Sequence, residues 1–84
     1  MIKLDKNDSP NYFRTPDLAL TAALLAKNHK LEKIKRENNR CYFYLIKDEN
    51  IERDSLAFFN RSLKVSAFKM AEEMRSLKRM LFTT

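Results

Sequence analysis

The sequence predicts one small α+β domain, in which an antiparallel β-hairpin packs against helices. Three observations lead to this prediction. The chain has 84 residues, a length that allows one hydrophobic core. Asn38 and Asn39 stand between two runs of β-branched and aromatic residues, which is typical of a hairpin. Apolar residues recur at helical spacing on the C-terminal side of that hairpin, and a compact Ala/Leu run precedes it. The predicted order is α-β-β-α-(β)-α, with residues 1–11 as a flexible lead-in and 12–84 as the folded domain.

The first predicted helix covers residues 15–27. Residues 15–17 are Thr, Pro and Asp, which provide an N-cap hydroxyl, a proline at the first helical position and an acid in the first turn. No charged residue follows until position 27, so this helix should be the most buried one. It should end near Asn28, because asparagine tolerates the left-handed conformation that closes a helix. We expect Tyr12 and Phe13 to fold back over it.

The hairpin is predicted to have strands 30–36 and 40–47. If Asn38 and Asn39 form a two-residue loop, the register follows from the turn. The predicted pairs are Glu37 with Arg40, Arg36 with Cys41, Lys35 with Tyr42, Ile34 with Phe43 and Lys33 with Tyr44.

Alternation along these strands gives the hairpin two different faces. The core face should carry Ile34, Cys41, Phe43 and Leu45. The opposite face should carry Lys33, Lys35, Tyr42 and Tyr44. Glu37 and Arg40, next to the turn, should form a cross-strand charge pair.

Two more helices are predicted, over residues 49–60 and 66–81. Acids cluster at the start of the first of these, as is typical of a helix N-terminus. A short extended segment, 63–65, should separate the two, and Ser66 should cap the last helix. The apolar stripe of that helix consists of Ala67, Met70, Ala71, Met74, Leu77 and Leu81.

The composition argues against several classes of function. Gly is absent, and Cys and His occur once each. Phosphate-binding loops and the nucleophile turn of hydrolases need glycine, because their backbone approaches the ligand closely or takes positive φ angles. A single cysteine cannot form an internal disulfide and suits a reducing compartment. We therefore expect a cytoplasmic protein that is not an enzyme and uses no cofactor or metal. The longest apolar run, residues 18–26, is too short for a membrane helix.

The order of short motifs along the chain resembles a family of known sequences. The motifs are Tyr12-Phe13-Arg14-Thr15-Pro16-Asp17-Leu18, Phe58-Phe59-Asn60, Leu63-Lys64-Val65, Phe68 and Leu77-Lys78. Together they are similar to a small uncharacterised domain family of phage and bacterial genomes, over residues 12–82. The family pattern often has a glycine after the first helix, where this chain has Lys27-Asn28-His29. The resemblance implies the architecture and an origin in mobile elements, and it transfers no functional residue.

The net charge of +6 is concentrated in two segments. Residues 29–47 and residues 61–84 each have six Lys or Arg side chains and two acids. Such surfaces attract polyanions, because Lys and Arg neutralise phosphates and release counterions. The expected ligand is therefore nucleic acid.

The predicted nucleic-acid site lies on the hairpin face opposite the core. Tyr42 and Tyr44 would stack on unpaired bases, as in other sheet-based single-strand binders. The cations that hold the backbone there are Lys33, Lys35 and Arg40. A second candidate surface is the last helix, which would enter a major groove or contact phosphates. Its cations are Lys69, Arg75, Lys78 and Arg79.

Other interpretations of these residues remain open. One alternative is that the two tyrosine rings only cover apolar surface of the protein, with the aliphatic parts of lysine side chains lying along the rings. The same face would suit a second copy of the chain, and we expect a homodimer. The alternative function is that of a phage or mobile-element accessory protein that acts by protein–protein interaction, as a host-factor or defence inhibitor.

The remaining chemically versatile side chains are assigned structural roles. Asp48 and Glu52 are four residues apart, but acids at a helix start usually interact with its dipole. His29 is expected to be a polar turn residue without a carboxylate partner. Cys41, on the predicted core face, should act as a small apolar side chain.

Overall fold

The computed structural model describes residues 11–83 of the chain and confirms the α+β class. A three-stranded antiparallel sheet with the order β1-β3-β2 is combined with three helices. The elements are β1 (Tyr12–Thr15), α1 (Leu18–Ala26), β2 (Leu31–Glu37), β3 (Arg40–Ile46), α2 (Ile51–Phe59) and α3 (Ala67–Thr83). Most of the predicted lead-in, residues 1–10, lies outside the described residues.

The hairpin has the predicted register. All five predicted pairs, from Glu37 with Arg40 to Lys33 with Tyr44, are confirmed. Asn38 and Asn39 have φ angles of 50° and 68°. Both are positive, as a two-residue hairpin turn requires, and asparagine adopts such angles at lower cost than most residues. The register shifts only near the open end of the hairpin, between Leu31 and Lys33.

The strand β1 is the main element that the sequence analysis missed. Tyr12–Thr15 pairs antiparallel with β3, so that β3 is the central strand. The pairing continues one residue further, because the Asn11 carbonyl accepts a hydrogen bond from the Lys47 N–H at 2.8 Å. The prediction that Tyr12 folds over the first helix is wrong, since alternation places only its neighbour Phe13 against the core.

The helix α1 begins later than predicted. Thr15 belongs to β1, and its hydroxyl accepts a hydrogen bond from the Asp17 N–H at 3.1 Å. Asp17 is the N-cap, because its carboxylate accepts from the Leu20 N–H at 3.0 Å. After the helix, Asn28 has a φ angle of 76°, as predicted.

The core joins all three helices to the inner face of the sheet. α1 contacts both α2 and α3, which explains why its sequence is apolar on every side. The fully buried core side chains are Leu20, Ala22, Leu24, Phe43, Leu45, Ile51 and Leu77. No helix in the described part of the chain combines the length and hydropathy needed to cross a membrane.

The last two helices lie close to their predicted positions. The Ser66 hydroxyl accepts a hydrogen bond from the Lys69 N–H at 3.2 Å, which confirms the predicted cap. Residues 63–65 form no strand. The predicted apolar stripe of α3 is wrong at Ala67 and Ala71, which are exposed.

The exposure of the first turns of α3 follows from helix length. α1 has 9 residues and α3 has 17, so they are about 13 Å and about 25 Å long. α3 therefore extends beyond the helix on which it packs. Its contacts with the core are made by Met70, Met74, Leu77 and Leu81.

Candidate functional site

The candidate site is the face of the sheet that points away from the core, called here the outer face. Its residues follow from strand pairing and alternation. They are Tyr12 and Arg14 on β1, Lys33, Lys35 and Glu37 on β2, and Arg40, Tyr42, Tyr44 and Ile46 on β3. All five residues that the sequence analysis placed in the hairpin site are therefore on one face.

Tyr44 is on the outer face but is almost completely covered, with 5% of its surface exposed. The Tyr12 and Tyr44 rings form a T-shaped pair, with 6.0 Å between the ring centroids and an interplanar angle of 86°. The Lys33 ammonium lies 5.1 Å from the Tyr44 centroid and 5.4 Å from the Tyr12 centroid. The Tyr44 ring is therefore a support for other side chains and offers no open stacking surface.

Tyr42 is half-buried, and a cation lies over its ring as well. The Arg14 guanidinium carbon is 4.4 Å from the Tyr42 centroid, which is a close cation–π contact. A hydrogen bond to the Tyr44 hydroxyl raises the pKa of Arg14 above its ordinary value. The guanidinium therefore remains charged under all ordinary conditions.

The carboxylate of Glu37 lies among these cations. Glu37 lies opposite Arg40 in the strand register, but its carboxylate does not form the predicted charge pair with Arg40: its oxygens lie 3.8 Å from Arg14 Nη1 and 3.9 Å from Lys35 Nζ. Both contacts are partly exposed, so each contributes at most about 1 kcal/mol. Their main effect is to hold the two cations in place on the sheet. Arg40 is exposed beside the turn, at the end of the outer face.

Besides Glu37 and Ile46, the predicted site lacked the two outer-face residues of β1, Tyr12 and Arg14. They enter it only because β1 pairs with β3. The available signal was the alternation in Tyr12-Phe13-Arg14-Thr15, where positions 13 and 15 face inward. Four residues are too few for that pattern to stand out beside a strong helix start.

The cations predicted on the last helix lie elsewhere. All four are exposed on α3, which packs on α1 at the core side of the sheet. The acids Glu72 and Glu73 lie on the same helix. The structure therefore does not bring this second set, Lys69, Arg75, Lys78 and Arg79, together with the outer face.

An open cleft of about 480 Å³ lies where the hairpin turn meets the start of α1 and the end of α3. Phe43 and Leu81 form apolar parts of its lining, and Arg40 and Asp17 are on its polar side. Cys41 is half-buried in the same lining. The cleft joins the end of the outer face at Arg40.

The environment of His29 differs from the one that the sequence predicts. Its side chain is 5% exposed, and Nε2 lies 2.7 Å from a carboxylate oxygen of Asp54, which is itself 10% exposed. Its Nδ1 lies 3.6 Å from an oxygen of Asp48. The prediction that His29 has no carboxylate partner is wrong. The contact ties the segment between α1 and β2 to α2.

This histidine cluster is a structural link in the described part of the chain. Over residues 11–83, no group of three or more His, Cys, Asp or Glu side chains is arranged to hold a metal ion. Asp48 also has a helix-start role, because its other oxygen accepts from the Asn50 N–H at 2.9 Å. Glu52 contacts Lys47, with 3.4 Å between carboxylate and ammonium.

Several large apolar side chains are exposed on α2 and α3. Leu56 and Phe59 are 65% and 59% exposed on α2. The large apolar side chains exposed on α3 are Phe68, Met80 and Phe82. Most of the large exposed apolar side chains therefore belong to the helices, whereas the outer face of the sheet is mainly basic and aromatic, with Ile46 exposed at its edge.

Comparison with known proteins identifies no relative: the chain matches no protein-family model, no curated protein and no solved structure. Function is therefore inferred from this chain's own residues and their arrangement.

Proposed function

We propose that this protein is a non-enzymatic domain that binds nucleic acid through the outer face of its sheet. The observation that supports this function is the grouping of four cations on one face, with Glu37 among them. The cations are Arg14, Lys33, Lys35 and Arg40. The overall charge of +6 adds long-range attraction for a polyanion.

Three of these four cations are held by neighbouring side chains before any ligand arrives. Arg14 lies on Tyr42, Lys33 lies on two tyrosine rings, and Lys35 contacts Glu37. A side chain that is already positioned loses less conformational entropy on binding. This arrangement favours a functional role over that of a merely solvated surface.

The test is fluorescence anisotropy of labelled RNA, single-stranded DNA and duplex DNA. We expect binding at low salt, with affinity falling log-linearly by at least tenfold between about 50 and about 200 mM salt. No measurable binding to any of the three probes at the lower salt would overturn the proposal.

A pair of charge-matched variants locates the site. Lys35→Gln/Arg40→Gln removes two cations from the outer face, neither of which lies over a ring, and should weaken binding tenfold or more. Lys69→Gln/Lys78→Gln removes two cations from α3 and should weaken it less than threefold. The reverse result would assign binding to α3.

A second candidate function is protein–protein interaction, and the exposed apolar residues of α2 and α3 favour it. Exposed Leu and Phe side chains of this size often mark contacts with a second protein. The partner would be another copy of the chain or, as the resemblance to phage sequences suggests, a host protein. Binding of that kind should change little with salt, in contrast to phosphate binding. Analytical ultracentrifugation of the wild type and Leu56→Ser/Phe59→Ser tests the homodimer, which should dissociate in the variant.

A further inference from the structure

We infer that the outer face binds the phosphate backbone of a duplex and not the stacked bases of a single strand. This inference rests on the proposed nucleic-acid function and specifies its ligand. The sequence analysis expected base stacking on Tyr42 and Tyr44. The packing of the outer face favours a different ligand.

The limited accessibility of the tyrosine rings argues against base stacking. Proteins that bind single strands by stacking present open aromatic faces, on which successive bases lie. Here the chain's own cations occupy those positions. The Arg14 guanidinium lies over Tyr42 at 4.4 Å, and the Lys33 ammonium lies over Tyr44 at 5.1 Å. Tyr12 and Tyr44 also pack against each other as a T-shaped pair, and Tyr44 is only 5% exposed.

The groups that remain accessible on the outer face are charged. Arg14, Lys33 and Lys35 are exposed, whereas the tyrosines under them are half-buried or, at Tyr44, buried. A ligand that approaches this face therefore meets cations before it meets rings. Cations in this position bind phosphates, and they do so without regard to base sequence.

The cations of the outer face are separated both along the strands and across the sheet. Lys33 and Lys35 are two residues apart on β2, about 7 Å along the strand. Arg14 is on β1, on the far side of the central strand, and therefore about 10 Å away across the sheet. A duplex presents phosphates from two strands side by side. Cations that are separated both along and across the sheet can therefore contact phosphates of both strands. A duplex carries one charge per about 1.7 Å of axis, and each of its strands alone carries half that density.

The test compares four labelled probes of equal length at the same salt: duplex DNA, duplex RNA, single-stranded DNA and single-stranded RNA. We expect at least one duplex to bind tenfold or more tightly than either single strand. The two duplex probes distinguish DNA from RNA, whose phosphodiester chemistry is the same. For three or four phosphate contacts, log K should fall with log salt with a slope of about −3.

Variants separate the contribution of rings from that of charge. Tyr42→Leu removes both a ring and its cation–π contact with Arg14, and it should weaken duplex binding less than the loss of two lysines does. The control Phe59→Leu on α2 should change duplex affinity less than threefold. Lys33→Gln/Lys35→Gln should weaken duplex binding tenfold or more and reduce the salt slope by about 2. Thermal melting checks that each variant folds. The four probes are compared on the wild-type protein, so that comparison does not depend on any variant.

The outcomes distinguish this inference from the proposed function. Single strands bound as tightly as duplexes, or more tightly, would overturn the preference for a duplex while leaving nucleic-acid binding intact. A tenfold loss of single-strand affinity in Tyr42→Leu would point to base stacking and would overturn it as well. No binding to any of the four probes at low salt would overturn both.

Discussion

The β2–β3 hairpin and the helix α2 differ in how much of their arrangement the local sequence determines. For the hairpin, the turn at Asn38 and Asn39 and the alternation of the strands were sufficient to predict the five pairs from Glu37 with Arg40 to Lys33 with Tyr44. For α2, the helix exists as predicted, but its orientation does not follow from its apolar residues. A strand register is determined locally, whereas the face that a helix buries depends on partners far away in the sequence.

The orientation of α2 shows this dependence directly. Ile51, Asp54 and Ser55 are buried, while Leu56 and Phe59 point outward. A buried carboxylate is unfavourable unless it is paired. Its partner is His29, which is 25 residues away in the sequence. The same side of α2 carries the core residue Ile51, and Asp54 can be buried beside it because its carboxylate is paired with a residue on a distant segment.

The largest expected effect is in the hairpin. Phe43→Ala should lower the free energy of unfolding by about 3–5 kcal/mol, because the ring is fully buried on the inner face of the central strand. Urea denaturation measures the loss. The control is Lys35→Ala on the outer face, which should change stability by less than about 0.5 kcal/mol. A loss below about 1.5 kcal/mol for Phe43→Ala would contradict its place in the core.

The next largest effect concerns the residue that orients α2. Asp54→Ala should cost about 3 kcal/mol, because it leaves His29 buried beside only the partly exposed Asp48. A double-mutant cycle with His29→Ala should give a coupling energy above about 1 kcal/mol. Asp48→Ala is the matched control and should cost less than about 1 kcal/mol, since half of that side chain is exposed. Equal losses for the two aspartates would show that the buried contact does not orient the helix.

The hairpin turn should be less sensitive than either buried site. Asn38→Ala and Asn39→Ala should each cost about 1 kcal/mol, because alanine is disfavoured at positive φ angles. Asn39→Gly should be neutral or slightly stabilising, because glycine adopts such angles without a Cβ clash. Thermal melting compares the three. If Asn39→Gly is as unstable as Asn39→Ala, the asparagine side chain and not the backbone angle stabilises the turn.

The smallest effect is expected on the exposed side of α2. Leu56→Ser and Phe59→Ser should each change the stability of the monomer by less than about 0.5 kcal/mol, since both side chains are mostly exposed. Denaturation at low protein concentration is the measurement. A loss above about 1 kcal/mol under those conditions would mean that these residues are covered within the monomer, and α2 would then face the other way.

The candidate site shows the same division between local and distant information. The sequence analysis placed Lys33, Lys35, Tyr42 and Tyr44 on one face because they follow the alternation of two paired strands. It did not identify the cation and the ring of β1, Arg14 and Tyr12, that cover these tyrosines. Arg14 is 30 residues from Tyr44 in the sequence, and only the pairing of their strands brings them together.

The amino-acid sequence by itself determined the α+β class, the hairpin register, the helix ends at Asn28 and Ser66, and the basic character of the surface. These features depend on alternation, turn conformation and capping, which act over a few residues. The tertiary structure decided the third strand, the orientation of α2 and the covering of the tyrosine rings. Each of these depends on a contact between segments far apart in the chain, where the gain from pairing or burial outweighs the local preference.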